Sequence, residues 1–170
     1  NLGFQNYYCA LEEKDLMDKL YFEGFRLGEV LEDVTLAEPI FRDADIVGID
    51  MKCLSWQAIA DPLKGQPNGI DSRTICALSR YAGISDRVGF FGLYELASTP
   101  MTDQLAAQAI WYFIEGIEYR FDEYPVNFNS GFLKFNVELS DRTLVFHKSE
   151  KSNRWWMELT NDLHLNNKIK

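Results

Sequence analysis

The fold of this chain is decided by one stretch of its sequence, Asp45-Ile46-Val47-Gly48-Ile49-Asp50-Met51-Lys52. A short apolar run that ends in a carboxylate is typical of a buried parallel strand. Ligands and catalytic groups collect at the carboxyl ends of strands in open α/β sheets. We therefore predict that Asp50 lies in a site at such a strand end. A pair of metal ions held by an Asp-x-Asp motif would need a second carboxylate where Lys52 stands.

A long loop and a helix are predicted after this strand. The loop runs from Leu54 to Ile70, and four residues that favour turns interrupt it: Pro62, Gly65, Pro67 and Gly69. Long ordered loops in compact domains are usually functional. Asp71 or Ser72 is expected to cap the next helix, and Gly83 is expected to end it.

A second strand and a second helix complete the pattern. Residues 88–94 predict another buried strand, which is followed directly by Glu95. Thr102 or Asp103 is expected to cap a helix from Gln104 to about Arg120. Strands that alternate with helices in this way predict a parallel sheet.

The flanking segments differ in character. Residues 12–25 carry apolar side chains at helical spacing, which predicts an amphipathic helix or two short helical turns. Residues 28–44 are polar and contain Pro39, so an irregular segment is expected. Alternation in residues 132–139 and 143–147 predicts a β-hairpin. We therefore expect an α/β core over 1–123, with a hairpin and tail over 124–170 packed on the same domain.

Size, charge and cysteine content limit the class of protein. The chain has 170 residues, 46% of them hydrophobic, which is enough for one compact core. A net charge of -9 disfavours binding to nucleic acid or to an anionic membrane. Three cysteines without a Cys-x-x-Cys pair predict reduced thiols. These features together predict a cytoplasmic protein.

Asp50 and Glu95 are the predicted functional pair, because each follows a hydrophobic strand directly. A right-handed crossover would make the two strands neighbours, and a carboxylate at a strand end usually meets a cation. The alternative is that both acids cap helices or form surface ion pairs. Asn68 is a weaker candidate, which presents its amide to a ligand or only forms a turn.

Three other groups of residues have more ordinary explanations. Cys53 lies close to Asp50, but no histidine is near it in sequence to activate a nucleophile. Trp155 and Trp156 form a stacking platform or, more commonly, close a core or an interface. The basic turn from Lys148 to Arg154 binds an anion or is simply solvated.

These segments, taken in order, resemble the ureohydrolase family of arginases, agmatinases and formimidoylglutamases. Residues 45–50 are similar to the strand of the family's Ser-x-Asp-x-Asp signature. Residues 72–76 stand where the family has the helix after its loop, and Gly92-Leu93-Tyr94-Glu95 resembles its glutamate-containing strand end, with Asp103 opening the next helix. The resemblance covers residues 2 to 120 and looks closest to the formimidoylglutamase branch.

The resemblance implies a fold and a chemistry. The fold would be the C-terminal part of a three-layer α/β/α domain with a mainly parallel sheet, here followed by an added β-hairpin. The activity would be hydrolysis of amidine or guanidine carbon–nitrogen bonds with Mn²⁺, which carboxylates bind well. Asp50 would be a manganese ligand and Glu95 would contact the cationic substrate. The binding partner would be a small amidine or guanidine substrate. The resemblance is also compatible with assembly of the chain into a homo-oligomer.

The sequence departs from the family pattern at the metal ligands. The signature serine is Gly48 and the second aspartate is Lys52. The histidine motifs Gly-Gly-Asp-His and Asp-x-His-x-Asp do not occur, and the two histidines, His147 and His164, lie where the family has no ligand. Either the other ligands come from sequence before Asn1, or the protein is a degenerate relative that binds or assembles. Lys52 either supplies charge in place of a metal ion or extends into solvent.

Overall fold

The structure is a computed structural model that describes residues 1–158. It divides into two compact units, Asn1–Asp122 and Glu123–Lys170. The strands are β1 (Leu2–Phe4), β2 (Phe25–Arg26), β3 (Ile46–Asp50), β4 (Phe90–Tyr94), β5 (Phe132–Glu138), β6 (Thr143–Ser149) and β7 (Trp155–Glu158). The helices are α1 (Leu11–Lys19), α2 (Leu27–Glu32), α3 (Ala37–Arg42), α4 (Trp56–Ile59), α5 (Ser72–Ile84) and α6 (Pro100–Ile117). The packing of residues 124–170 on the same domain as residues 1–123 stays a prediction.

Strands β3 and β4 form the parallel pair that the sequence predicts. Their register runs from Ile46 opposite Phe90 to Asp50 opposite Tyr94. The expectation that both strands are buried is wrong, because burial alternates along β3 and no residue of β4 is fully buried. Ile46 remains 69% exposed. The sheet that contains β3 has two strands among residues 1–158, and Ile46, Gly48 and Asp50 lie on the exposed side of β3.

Two predicted helix ends differ from the structure. Helix α5 does not stop at Gly83 but continues to Ile84, because Gly83 keeps a helical backbone rather than the left-handed conformation that ends a helix. Helix α6 begins earlier than predicted, and its cap is Thr99 rather than Thr102 or Asp103. The Thr99 hydroxyl accepts a hydrogen bond from the Thr102 amide at 3.1 Å, and Pro100 occupies the first helical position, where no amide donor is needed.

The prediction of an irregular segment over residues 28–44 is wrong. Helices α2 and α3 lie there, joined by a 3-10 helix over Val34–Leu36. Pro39 falls in the first turn of α3, where its missing amide costs no hydrogen bond. Four apolar side chains from this region enter the core: Leu27, Val30, Ala37 and Phe41. Their spacing was the available signal for helices.

Helix α1 corrects another prediction. It ends at Lys19 rather than continuing toward residue 25, and none of its side chains is fully buried. Leu11 is 70% exposed and Leu16 is 55% exposed. The apolar spacing therefore predicted the helix, but that face does not pack into the core of residues 1–158.

The loop over residues 54–70 is ordered, as expected, and folds back on itself. Bridges join Leu54 to Ile70 and Ser55 to Gln66, and the short helix α4 lies between them. Gly69 is required there, because an added Cβ would lie 2.5 Å from the backbone of Leu54. Both bridge residues Leu54 and Ile70 are buried, so the loop is anchored beside the end of β3.

The second unit contains an antiparallel sheet in the order β5, β6, β7. The predicted hairpin is confirmed, with Phe135 opposite Phe146 in its middle. Strand β7 was not predicted. It carries Trp155 and Trp156 and pairs with β6, and the Trp156 ring meets Phe132 at 5.4 Å.

None of the helices formed by residues 1–158 combines the length and the apolar character that a bilayer-spanning segment requires.

Candidate functional site

The two predicted carboxylates lie at the same edge of the β3–β4 pair. Asp50 is the last residue of β3 and is paired with Tyr94, the last residue of β4. Glu95 follows directly, so the parallel arrangement brings the ends of both strands together. The predicted meeting of these two strand ends is confirmed.

Asp50 is oriented by the backbone that follows it. Its Oδ1 atom accepts a hydrogen bond from the Lys52 amide at 2.9 Å and caps a 3-10 helix over Met51–Cys53. Met51 and Leu54 are almost completely buried on either side of this turn. Asp50 therefore does cap a helix, which was the alternative to a functional role. The same hydrogen bond fixes the backbone at Lys52.

Glu95 has an unusual backbone conformation. Its φ is 57°, in the left-handed region that residues with a Cβ seldom adopt. Such a residue costs on the order of 1–3 kcal/mol, which the surrounding structure has to offset. Conformations of this kind concentrate at functional sites. Tyr21, Ala60, Asp122 and Asn153 share this left-handed conformation, so it describes the backbone at Glu95 without by itself marking a functional residue.

Lys52 forms an ion pair with Glu95. The Lys52 Nζ atom lies 2.9 Å from Glu95 Oε2, and the side chains are 59% and 57% exposed. The hydrogen bond from Lys52, assisted by its charge, lowers the pKa of Glu95. The hydrogen bond to Glu95 raises the pKa of Lys52, and the charge of Asp50 raises it further. Lys52 thus bridges between the strand ends and does not extend alone into solvent.

A groove of about 670 Å³ is lined by Asp50 and Lys52, whereas Glu95 is not among its lining residues. Apolar side chains of β3 and α5, such as Ile49 and Leu78, also line the groove, together with Gln66. The sequence did not predict that Gln66 lines this groove. Its bridge to Ser55 is a tertiary contact, which local sequence patterns do not indicate. Asn68 lies exposed in a turn of the same loop, and its role in substrate binding stays a prediction.

Cys53 lines the groove but is poorly suited to nucleophilic chemistry. Burial raises the pKa of its thiol to about 12, and the charge of Asp50 acts in the same direction. A thiol with that pKa is protonated at neutral pH, and the thiolate is the reactive form. The structure therefore favours a structural role for Cys53.

The residues present do not fit a pair of manganese ions. Within residues 1–158 no three side chains of His, Cys, Asp or Glu are grouped so that they could hold a metal ion. His147 lies in the second unit, where its ring contacts Glu158 at 3.2 Å, and His164 lies outside the described residues. Asp50 is the single candidate ligand from the sequence, and an ammonium group stands beside it.

Comparisons with known proteins bear on the fold. No family model and no curated protein matches the chain. Among solved structures, a formiminoglutamase from Trypanosoma cruzi matches with a TM-score of 0.65 and 16% identity, over 70% of this chain and 44% of that one. The formimidoylglutamase from Bacillus subtilis matches with a TM-score of 0.62 and 16% identity, over 71% of this chain and 41% of the other.

A third similar structure is an arginase. The Entamoeba histolytica enzyme, in complex with L-ornithine, matches with a TM-score of 0.56 and 15% identity over 66% of this chain and 41% of that one. Three of the matching Trypanosoma cruzi formiminoglutamase structures were determined with Mn²⁺. The chain spans less than half of the length of these proteins. Residues of this chain therefore form part of an arginase-like ureohydrolase fold.

Proposed function

We propose that the whole protein hydrolyses carbon–nitrogen bonds in a small linear amidine or guanidine, with formimidoylglutamate-type compounds as the first substrates to test. We also propose that its complete domain is the three-layer α/β/α arrangement with a mainly parallel sheet. The arginase-like fold supports this class of reaction. The single observation that carries the proposal is that Asp50 ends β3 and Glu95 directly follows β4, the parallel strand beside it.

Glu95 is the proposed contact for the cationic part of the substrate. Amidinium and guanidinium groups are planar cations whose N–H groups match a carboxylate well. In the structure Glu95 already accepts a cationic nitrogen, the Lys52 ammonium, at 2.9 Å. Its backbone is left-handed, and its side chain meets Lys52, which follows the end of β3. A substrate cation would compete with Lys52 for the same carboxylate oxygens.

The reaction is addition of water to the central carbon of this cation. The carbon–nitrogen bond then breaks and the departing amine takes a proton. A formimidoyl compound would release formamide, and a guanidine would release urea. Asp50 is proposed as one ligand of a manganese ion, with further ligands contributed from outside residues 1–158. Lowering the pKa of bound water is what such an ion supplies.

The proposal is tested by assaying the full-length protein with formimidoylglutamate, arginine and agmatine, with and without Mn²⁺. Formamide or urea release is the expected result. Glu95→Gln should raise KM for the active substrate by at least about tenfold, because a charge-assisted hydrogen bond contributes about 1.5–3 kcal/mol. Glu12→Gln, a change of the same kind on exposed helix α1, is the matched control. Equal KM values for wild type and Glu95→Gln would contradict the role of Glu95.

A second function, binding without catalysis, is favoured by the Lys52–Glu95 ion pair and by the absence of a metal-ligand grouping among the described residues 1–158. This reading predicts no turnover of any of the three compounds but measurable heat on titration with one of them. Glu95→Gln should then abolish the binding signal. Turnover by wild type protein would rule it out.

A further inference from the structure

We infer that Lys52 acts as an internal counter-ion that excludes a second metal ion, so that the ends of β3 and β4 hold at most one divalent cation per chain. This goes beyond the proposed function, because it concerns the metal content of the site and holds whether or not the protein is catalytic. It rests on the disagreement between the manganese-binding relatives and the residues found at the two strand ends.

The first step is the position of the ammonium group. Lys52 Nζ lies 2.9 Å from Glu95 Oε2 on the neighbouring strand end. A hard divalent cation on the same carboxylate would need a metal–oxygen distance of about 2.0–2.6 Å. A metal ion on Glu95 Oε2 would share that oxygen with the ammonium, and the repulsion between a single and a double positive charge is twice that between two single charges. The ammonium therefore opposes binding of a metal ion to Glu95 Oε2.

The second step is that this ion pair is held from both ends by the backbone. The Lys52 amide donates to Asp50 Oδ1 at 2.9 Å, in a turn anchored by the buried side chains of Met51 and Leu54. Glu95 is held with φ at 57°. An ordinary surface pair is two flexible side chains that meet by chance. Here the backbone of each residue is fixed, and the Lys52 and Glu95 side chains, 59% and 57% exposed, meet between the strand ends.

The third step is the charge that remains. Asp50 and Glu95 contribute two negative charges and Lys52 neutralises one of them, which leaves one net negative charge at the strand ends. Asp50 Oδ1 is engaged by the Lys52 amide, and its other oxygen lies outside that hydrogen bond. The strand ends therefore lack the negative charge and the carboxylate oxygens that two divalent ions would need.

The test is a metal count on the full-length protein without substrate. Wild type, Lys52→Asp and Lys52→Glu are saturated with Mn²⁺, desalted and analysed by plasma mass spectrometry, and their electron paramagnetic resonance spectra are recorded. Wild type should hold no more than one ion per chain, with no signal from a coupled pair. Each carboxylate variant should gain about one ion, with coupling between ions in any variant that then holds two.

Lys19→Asp changes charge by the same amount at an exposed position of α1 and should match wild type. Circular dichroism and thermal melting establish that each variant is folded, and the second carboxylate variant serves if the first fails to fold. Two manganese ions in wild type would overturn the inference. So would folded variants that hold no more metal than wild type. Since no substrate is present, failure of the proposed activity leaves this result unaffected.

Discussion

Gly83 of α5 and Gly116 of α6 lie against each other at the point where the two helices cross. A Cβ atom added to either glycine would come 3.0 Å from the Cα atom of the other. At Gly83 the added atom would also lie 2.1 Å from the Phe113 carbonyl oxygen, which is part of the backbone. The two glycines therefore permit a helix contact that no larger residue allows, and this contact supports the strands that carry the site.

Substitution of Gly83 tests this close crossing. Gly83→Ala should destabilise the protein by about 1–3 kcal/mol or more, because the backbone of α6 would have to move. Gly28→Ala is the matched control: Gly28 is in helix α2, and an added Cβ there has no atom within 4 Å. It should be neutral or stabilise by about 0.4–1 kcal/mol. Urea unfolding of both variants measures the difference, and similar stabilities would contradict the crossing.

The Asp71 cap at the start of α5 also contributes to the stability of the fold. Asp71 Oδ1 accepts hydrogen bonds from the amides of Arg73 and Thr74 at 2.8 and 2.9 Å. Asp71→Ala should therefore cost about 0.5–2 kcal/mol of unfolding free energy, whereas Asp71→Asn keeps an acceptor and should cost less. Chemical denaturation of the two variants compares them.

The pH dependence of the Asp71 cap follows from its pKa. Partial burial acts to raise that pKa, but the hydrogen bonds from Thr74 and Arg73 outweigh it and lower the pKa overall. A carboxyl whose pKa is lower in the folded state stabilises the fold above its unfolded pKa. The gap between wild type and Asp71→Ala should therefore close as the pH falls through the folded pKa. A gap that is constant with pH would show that the charge is irrelevant.

The Lys52–Glu95 ion pair has a titration signature. Lys52→Met should return the pKa of Glu95 upward toward its ordinary value, because the hydrogen bond and the charge that lower it are removed. The lowered pKa means that the pair stabilises the fold at neutral pH and that this stabilisation is lost as the pH falls through the folded pKa of Glu95. Nuclear magnetic resonance titration of the Glu95 side chain reports the shift. An unchanged Glu95 pKa would show that the pair does not form in solution.

Arg120 links the C-terminal end of α5 to the segment that precedes β4. Its guanidinium donates to the Gly83 carbonyl at 3.0 Å and to the Val88 carbonyl at 2.8 Å. Arg120→Met should destabilise by about 1–3 kcal/mol, because two carbonyl groups lose a charged donor. Arg142→Met, at a position whose side chain is 67% exposed, should stay within about 0.5 kcal/mol of wild type. Equal melting temperatures for the two variants would contradict this role.

Alkylation of Cys53 tests whether the thiol that lines the groove is reactive. Its pKa of about 12 predicts slow alkylation at pH 8, with a rate that keeps rising toward alkaline pH. Mass spectrometry after brief iodoacetamide treatment measures the labelled fraction at each pH. Complete labelling at neutral pH would show that the thiol is activated, and Cys53→Ala would then need to be tested for loss of activity.

Local sequence patterns were sufficient to predict an element when its own residues carry the pattern that forms it. The apolar run that ends at Asp50, the cap at Asp71 and the alternation in the hairpin all describe elements formed from neighbouring residues. Pro39 misled because a proline in a first helical turn is compatible with a helix, and local sequence does not show where that turn begins.

The sequence by itself determined that two carboxylates follow two strands, because the order of apolar runs and breakers is a property of neighbouring residues. Tertiary structure decided what those carboxylates meet. Parallel pairing of β3 and β4 brings Lys52 within 2.9 Å of Glu95, although 43 positions separate the two in the numbering. The strained backbone at Glu95 and the return of Gln66 toward β3 also depend on contacts distant in sequence. Such contacts arise only when the chain closes on itself, since local propensity carries no information about distant partners.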